Sequence, residues 1–81
     1  ADKALNIAYK KLMAQLKDDE NAQSLLRNAQ RAWLAYRDSE CIFEGHGVEG
    51  GSMQPLIIFG CKASLTKKRT EELNNQPTYG G

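Results

Sequence analysis

Two cysteines on either side of a glycine-rich stretch constrain the fold of this chain more than any other feature. Cys41 and Cys61 each lie in a segment with helical spacing, and the stretch from Gly45 to Gly51 separates them. Their spacing fits neither a Cys-x-x-Cys redox centre nor a zinc site, so a structural disulfide between two helices is the simplest interpretation. Closing a loop of about 20 residues stabilises a fold by about 3 kcal/mol. The alternative is two buried free thiols in a cytosolic protein.

The composition limits the classes of function. A chain of 81 residues predicts one domain, and its thin core would gain from a covalent link. Lys and Arg number 11 against 10 Asp and Glu, so the net charge of +1 creates no overall field toward nucleic acid or an anionic membrane. No apolar run approaches the roughly 18–20 residues that span a bilayer. No apolar signal-peptide segment follows Asp2.

Apolar residues recur at spacings of three and four, which is typical of amphipathic helices. The pattern predicts an all-α fold with helices over about 2–17, 20–44 and 52–73. Asp2, the acids before Glu20, and Ser52 are the expected N-terminal caps of these helices. Pro55 is compatible with the first turn of the third helix.

Glycines predict where helices stop and where they touch. The segment 45–51 is too rich in glycine to be helical, so we expect a mobile loop that starts at Gly45. Gly60 lies inside the third helix, where it costs about 1 kcal/mol relative to alanine. We therefore expect a close helix contact at Gly60.

The second helix carries a long apolar stripe that is expected to face the core. Its members are Ala22, Leu25, Leu26, Ala29, Ala32, Trp33, Tyr36 and Phe43. At 100° per residue Glu40 also falls on this stripe, whereas Gln30, Arg37 and Cys41 lie together on one flank.

Short connections predict an antiparallel three-helix bundle that forms one domain over 1–74, followed by a loose tail over 75–81. A Cys41–Cys61 link makes the start of the third helix project past the second helix or cross it steeply. The first helix is too short to cover this end. We expect a segment upstream of Ala1, a second copy or another partner to cover the apolar residues there, which are Phe43, Leu56, Ile57 and Phe59.

Several motifs in order resemble a known family over residues 2–73. They are Asp2-Lys3-x-Leu5-Asn6-x-x-Tyr9, Ala29-Gln30-x-x-Trp33-x-x-x-Arg37-Asp38-x-x-Cys41, Gly50-Gly51-Ser52, Cys61 and Thr66-x-x-Arg69-x-x-Glu72-Leu73. This set is similar to the LprI-like lysozyme-inhibitor domain family. The resemblance implies a small, helical, disulfide-bonded and exported bacterial domain, and inhibition of host lysozyme. Members usually carry one or two cysteines upstream of the first motif, at which this chain begins.

Two arginines are the most informative polar residues. Arg37 and Arg69 could bind carboxylates or other anions, or they could pair with residues inside the bundle. Because Arg69 falls on the core face of its helix, it needs a partner within the protein. We expect Arg69 to contact Glu40 or an aromatic ring of the second helix. Gln30 and Ser52 are likewise expected to serve structural roles.

The glycine-rich loop holds the best candidates for contact with a partner. His46, with Glu49 and Ser52 nearby, could enter the cleft of a lysozyme, which works with paired carboxylates. The alternative is a solvated loop histidine. Partner-binding residues expected here are His46, Glu49, Met53, Leu56, Ile57 and Phe59.

Catalysis is not indicated. Ser52 lacks a positioned base and an oxyanion hole, and His46, Glu44 and Glu49 do not form a usual metal frame. The basic residues of the third helix lack interleaved aromatics, which argues against nucleic-acid binding. We therefore expect no enzyme, no cofactor and no membrane span. Two functions remain open. One is a periplasmic or secreted inhibitor of a lysozyme-like hydrolase. The other is an envelope module that docks through the start of the third helix or self-associates through it as a homodimer.

Overall fold

Three helices make up the computed structural model, which describes residues 2–76. They are α1 (Asp2–Gln15), α2 (Glu20–Gly45) and α3 (Gln54–Asn74), with one 3-10 turn at His46–Val48. The all-α prediction is confirmed, and so is the disulfide: Cys41 and Cys61 are joined, with their Cα atoms 5.4 Å apart. The expected loose tail lies, from residue 77 onward, outside the described residues. No helix in the described part of the chain is both long and apolar enough to cross a bilayer.

The N-terminal cap predicted from the sequence is present at α2 but not at α3. The Asp19 carboxylate accepts a hydrogen bond from the Ala22 backbone N–H at 2.9 Å, which is the expected cap. Ser52 does not cap α3, because that helix begins two residues later, after Met53, and no side chain caps it. Pro55 occupies the first turn, where its missing N–H leaves no helical hydrogen bond unmade.

The glycine-rich connection is more ordered in its hydrogen bonding than a plain loop. The expectation that it contains no helical structure is wrong, since residues 46–48 form a 3-10 turn. Three backbone hydrogen bonds then follow one another: Glu49 N–H to His46 C=O, Gly51 N–H to Val48 C=O and Gln54 N–H to Gly51 C=O. The one positive φ angle in the described chain belongs to Gly50, at 82°, a conformation that glycine adopts without steric cost.

The bundle is organised around α3, which packs closely along both α1 and α2. The molecule is a rod with extents of 50 × 18 × 17 Å. Its apolar core joins α1 to the second half of α3, and the buried members are Leu5, Ala8, Leu12, Leu16 and Leu73. Tyr9, Ala22, Leu26 and Trp33 pack against this cluster from the side. The core therefore fills one end of the rod and leaves the disulfide end without an apolar centre.

The face of α2 that meets α3 is the polar flank, not the apolar stripe. The buried residues of α2 are Gln30, Cys41 and Gly45. Stripe residues Tyr36 and Phe43 are instead exposed. The expectation that the whole stripe faces the core is therefore wrong. Cys41 must point at α3 to form its disulfide, and a helix of 3.6 residues per turn carries Gln30 and Arg37 inward with it.

Hydrogen-bonded side chains fill the contact between α2 and α3. Arg37 Nη1 donates to Thr66 Oγ1 at 3.1 Å and to Asp2 Oδ1 at 3.2 Å, while its Nε donates to Asp38 Oδ1 at 3.0 Å. The same guanidinium lies 5.4 Å from the centre of the Trp33 ring. Every buried polar side-chain atom within residues 2–76 has a partner. These bonds offset the cost of burying charge and amide groups in place of an apolar contact.

Arg69 contacts α2, but through a different residue from the one expected. Its Nε donates to Gln30 Oε1 at 3.0 Å, and its Nη1 lies 3.4 Å from Glu72 Oε1. The predicted contact with Glu40 or an aromatic ring is therefore wrong. The reason is the orientation of α2: its flank faces Arg69, whereas Glu40 lies on the stripe that turns away.

Glycines 45 and 60 have opposite roles. An added Cβ at Gly45 would lie 2.7 Å from Ile58 Cγ1, so the absence of a side chain lets α3 approach the end of α2. The φ angle of Gly45 is −75°, which means that packing rather than left-handed geometry requires glycine. At Gly60 an added Cβ would meet nothing within 4 Å. The expected helix contact at Gly60 is therefore wrong for the fold itself.

Two alanine substitutions should separate these roles. Gly60→Ala should raise the free energy of unfolding by about 0.5–1 kcal/mol, because it improves helix propensity without a clash. Gly45→Ala should lower it, because Ile58 must move to make room. Urea denaturation followed by circular dichroism measures both. A loss of stability in Gly60→Ala would contradict the open space around that residue.

The disulfide should account for a large share of the stability. Its cysteines are 20 residues apart. Replacing both cysteines by alanine should lower the free energy of unfolding by about 3 kcal/mol on the chain-entropy estimate. The measurement is the urea midpoint of the oxidised protein against that of the double variant. An unchanged midpoint would show that α3 is held by its hydrogen bonds and core contacts alone.

Candidate binding surface

A group of exposed apolar side chains covers one end of the rod. We call it the apolar tip and define it as Ile42, Phe43, Val48, Met53, Leu56, Ile57 and Phe59. Phe59 is 75%, Phe43 71% and Leu56 63% exposed. These fractions are unusual for large apolar residues, which normally lie in the core of a domain.

Within residues 2–76, α1 does not extend over the tip. Asp2, the first residue of α1, lies beside Arg37 and bonds to it. Among the described residues, the end of α2 beyond that point contacts α3 and the 3-10 turn. The sequence-based expectation of an uncovered end at Phe43, Leu56, Ile57 and Phe59 agrees with this arrangement.

The exposed area is large for a chain of this size. Each of the seven apolar side chains of the tip is at least 37% exposed. The largest apolar patches on ordinary monomers measure about 300–600 Å² and are often functional. A group of exposed apolar side chains at one end of a molecule is therefore a candidate binding surface.

Several contacts hold the tip in one shape. The disulfide ties Cys61 of α3 to Cys41, which is fully buried in α2. One helical turn further along α2, Gly45 packs against Ile58. The Gln54 side chain accepts a hydrogen bond from the Gly50 backbone N–H at 3.2 Å. A surface held in this way loses little conformational freedom when a partner binds.

Polar side chains border the tip. His46 Nδ1 and Glu49 Oε2 lie 2.5 Å apart in the 3-10 turn, and both side chains are mostly exposed. The Glu44 carboxylate lies 3.3 Å from Cys61 Sγ. An apolar centre with a polar border is the usual anatomy of a protein–protein interface. The structure thus brings His46 and Glu49 next to the expected partner-binding residues Met53, Leu56, Ile57 and Phe59.

The remaining residues predicted from the sequence lie elsewhere. Gln30, Arg37 and Arg69 are in the contact between α2 and α3, away from the tip. Glu40 is half-buried on α2, and Ser52 is exposed in the turn before α3. Their assignment as structural residues stays a prediction.

Two members of the tip were missed in the sequence. Ile42 lies on the opposite side of α2 from the apolar stripe, and Val48 lies in the glycine-rich connection. Ile42 did carry a signal, since it is a large apolar residue outside any helical stripe. Val48 carried none, because its position depends on the 3-10 turn.

Comparison with known proteins places the chain in a family. The family described as lysozyme inhibitor LprI matches residues 1–73. The chain is also 43% identical over 84 residues to an uncharacterized protein from Rhizobium meliloti (strain 1021). That alignment covers 90% of this chain and 60% of the relative, so the chain spans well under two thirds of that protein's length. No solved structure matches. The match across nearly all of the helical region means that this chain belongs to the LprI lysozyme-inhibitor family.

Proposed function

We propose that this chain is an exported, non-catalytic binding module that inhibits a lysozyme-like hydrolase by docking its apolar tip on that enzyme. The observation that carries the proposal is the tip itself: a preorganised apolar surface that the fold leaves uncovered. Membership of a lysozyme-inhibitor family supplies the class of partner.

The shape of the molecule suits this role. The tip lies at the end of a rod 18 × 17 Å in cross-section, which is narrow enough to approach a concave surface. Lysozymes cleave glycosidic bonds with two carboxyl groups in a substrate cleft. A tip seated over that cleft would exclude the polysaccharide. His46 at the border of the tip, whose Nδ1 pairs with the Glu49 carboxylate, would then present its Nε2 to the partner.

Charge would contribute to binding through local contacts at the tip rather than through long-range attraction. The net charge of +1 gives no attraction to a basic lysozyme at a distance. At the tip, however, Glu44 and Glu49 are exposed carboxylates that complement a basic partner. We therefore expect an association rate with little dependence on salt, and an affinity set by apolar contacts.

The disulfide supports an exported location. Such bonds form and persist in the periplasm and outside the cell, whereas the cytosol keeps thiols reduced. We accordingly place this chain in the periplasm or among secreted proteins.

A second function uses the same surface. Two copies that face each other through their tips would bury the phenylalanines of both, and a dimer would then form a structural or docking unit of the envelope. The observation that favours this alternative is the high exposure of Phe43 and Phe59. In a symmetric dimer each tip would cover the other.

Loss of the tip phenylalanines should weaken inhibition. The double variant Phe43→Ala with Phe59→Ala should weaken inhibition of a c-type lysozyme, measured by turbidity of a cell-wall suspension, by at least about 30-fold, because buried aromatic anchors dominate interfaces. Both side chains are exposed in the free protein, so the fold should be kept. The matched control is Ile7→Ala with Leu25→Ala, which removes two exposed apolar side chains that lie outside the tip.

The outcomes separate the two functions. Equal inhibition by the double variant and the control would contradict docking through the tip. Self-association would be established instead by two results together. The unmodified protein would not inhibit, and it would sediment as a dimer that the Phe43 and Phe59 substitutions convert to a monomer. Inhibition by a protein that sediments as a monomer at all concentrations would exclude it.

A further inference from the structure

A second surface lies between α1 and α2, away from the apolar tip. It is a groove of about 340 Å³, whose walls include Leu5, Asn6 and Tyr9 from α1 and Arg27, Arg31 and Leu34 from α2. The groove arises because α3 holds the other two helices, while α1 and α2 approach each other less closely.

Two arginines line this groove without a counter-charge. Arg27 and Arg31 are one helical turn apart, which places their Cβ atoms about 5–6 Å from each other. Within residues 2–76 neither forms an ion pair or a side-chain hydrogen bond, whereas Arg37 and Arg69 both pair with carboxylates. Like charges at this spacing repel each other. An anion bound between them would remove that repulsion.

The other walls fit a ligand that is partly apolar. Leu5 is buried and Tyr9 is half-buried, so their side chains form the floor beneath the arginines. Leu34 also lines the groove and is 37% exposed. The Tyr9 ring offers a flat apolar face, and Asn6 offers an amide that can donate or accept a hydrogen bond.

We propose that the groove binds a phosphate monoester whose organic part rests against Tyr9 and Leu34. A phosphate monoester carries close to two negative charges at neutral pH, which matches two guanidinium groups. Each guanidinium presents parallel N–H donors that fit two oxygens of one phosphate. A carboxylate carries one charge and would satisfy only one of the two arginines. This site does not depend on the inhibitory function, and it leaves the tip free.

The test is a titration of the whole chain with phenyl phosphate, followed by ¹H–¹⁵N correlation spectra. We expect saturable shifts in the amides of residues 5–9 and 27–34. The variant Arg27→Gln with Arg31→Gln should weaken binding at least about 10-fold, because charge-assisted hydrogen bonds are lost. The control Lys67→Gln with Lys68→Gln removes the same charge from exposed positions of α3 and should bind as the unmodified protein does.

Two further ligands test the parts of the proposal. Benzoate keeps the ring but carries one charge, and inorganic phosphate keeps the charge but lacks the ring. Both should bind more weakly than phenyl phosphate. The variant Arg27→Lys with Arg31→Lys keeps the charge without the parallel donors and should bind with intermediate affinity.

Three results would overturn the site. One is the absence of saturable shifts in the groove with phenyl phosphate. Another is an equal loss of affinity for phenyl phosphate in the Arg27 and Arg31 variant and in the lysine control, which would indicate general attraction to a cationic surface. The third is binding of benzoate as tight as that of phenyl phosphate. The spectra themselves report whether each variant keeps its fold.

Discussion

The disulfide between Cys41 and Cys61 is the constraint on which the rest of the structure depends. It joins the end of α2 to a point almost two turns inside α3. It therefore sets both the position of α2 along the axis of α3 and the rotation of α2 about its own axis. With Cys41 turned inward, Gln30 and Arg37 follow on the same flank and meet Arg69 and Thr66. Of the apolar stripe of α2, Ala22, Leu26 and Trp33 still pack against the core, whereas Tyr36 and Phe43 are left exposed. A thin core and an exposed apolar end are both consequences of this one link.

The sequence was sufficient for some features of this fold and not for others. Helical spacing predicted three helices, and the place of Cys61 inside the third predicted the uncovered end, because both depend on local geometry and chain length. The rotation of α2 could not be predicted, since the hydrophobic stripe is normally the buried face. Here a hydrogen-bonded polar flank takes its place. The partner of Arg69, the open space at Gly60 and the late start of α3 after Ser52 all depend on contacts between segments distant in sequence.

Different regions of the molecule stabilise the fold in different ways. The α1 side holds the apolar core, and the contact between α2 and α3 holds the polar network. These two regions stabilise the rod without using Phe43 or Phe59. The tip therefore carries apolar area that the fold does not need, and Gly60 beside it leaves the α3 backbone open to close approach. The proposed binding of a lysozyme-like enzyme would use this apolar surface, whereas the proposed site in the α1–α2 groove is lined by two arginines.

The most direct measurement is hydrogen–deuterium exchange of the whole chain with and without a c-type lysozyme. We predict that the enzyme slows exchange in residues 42–59, which contain the tip and the turn before α3, and leaves α1 and the second half of α3 unchanged. Lower exchange in this segment at high protein concentration without lysozyme would indicate self-association instead. Protection confined to the α1–α2 groove, or exchange unaltered everywhere at saturating lysozyme, would contradict the claim that the uncovered tip is the surface that binds the enzyme.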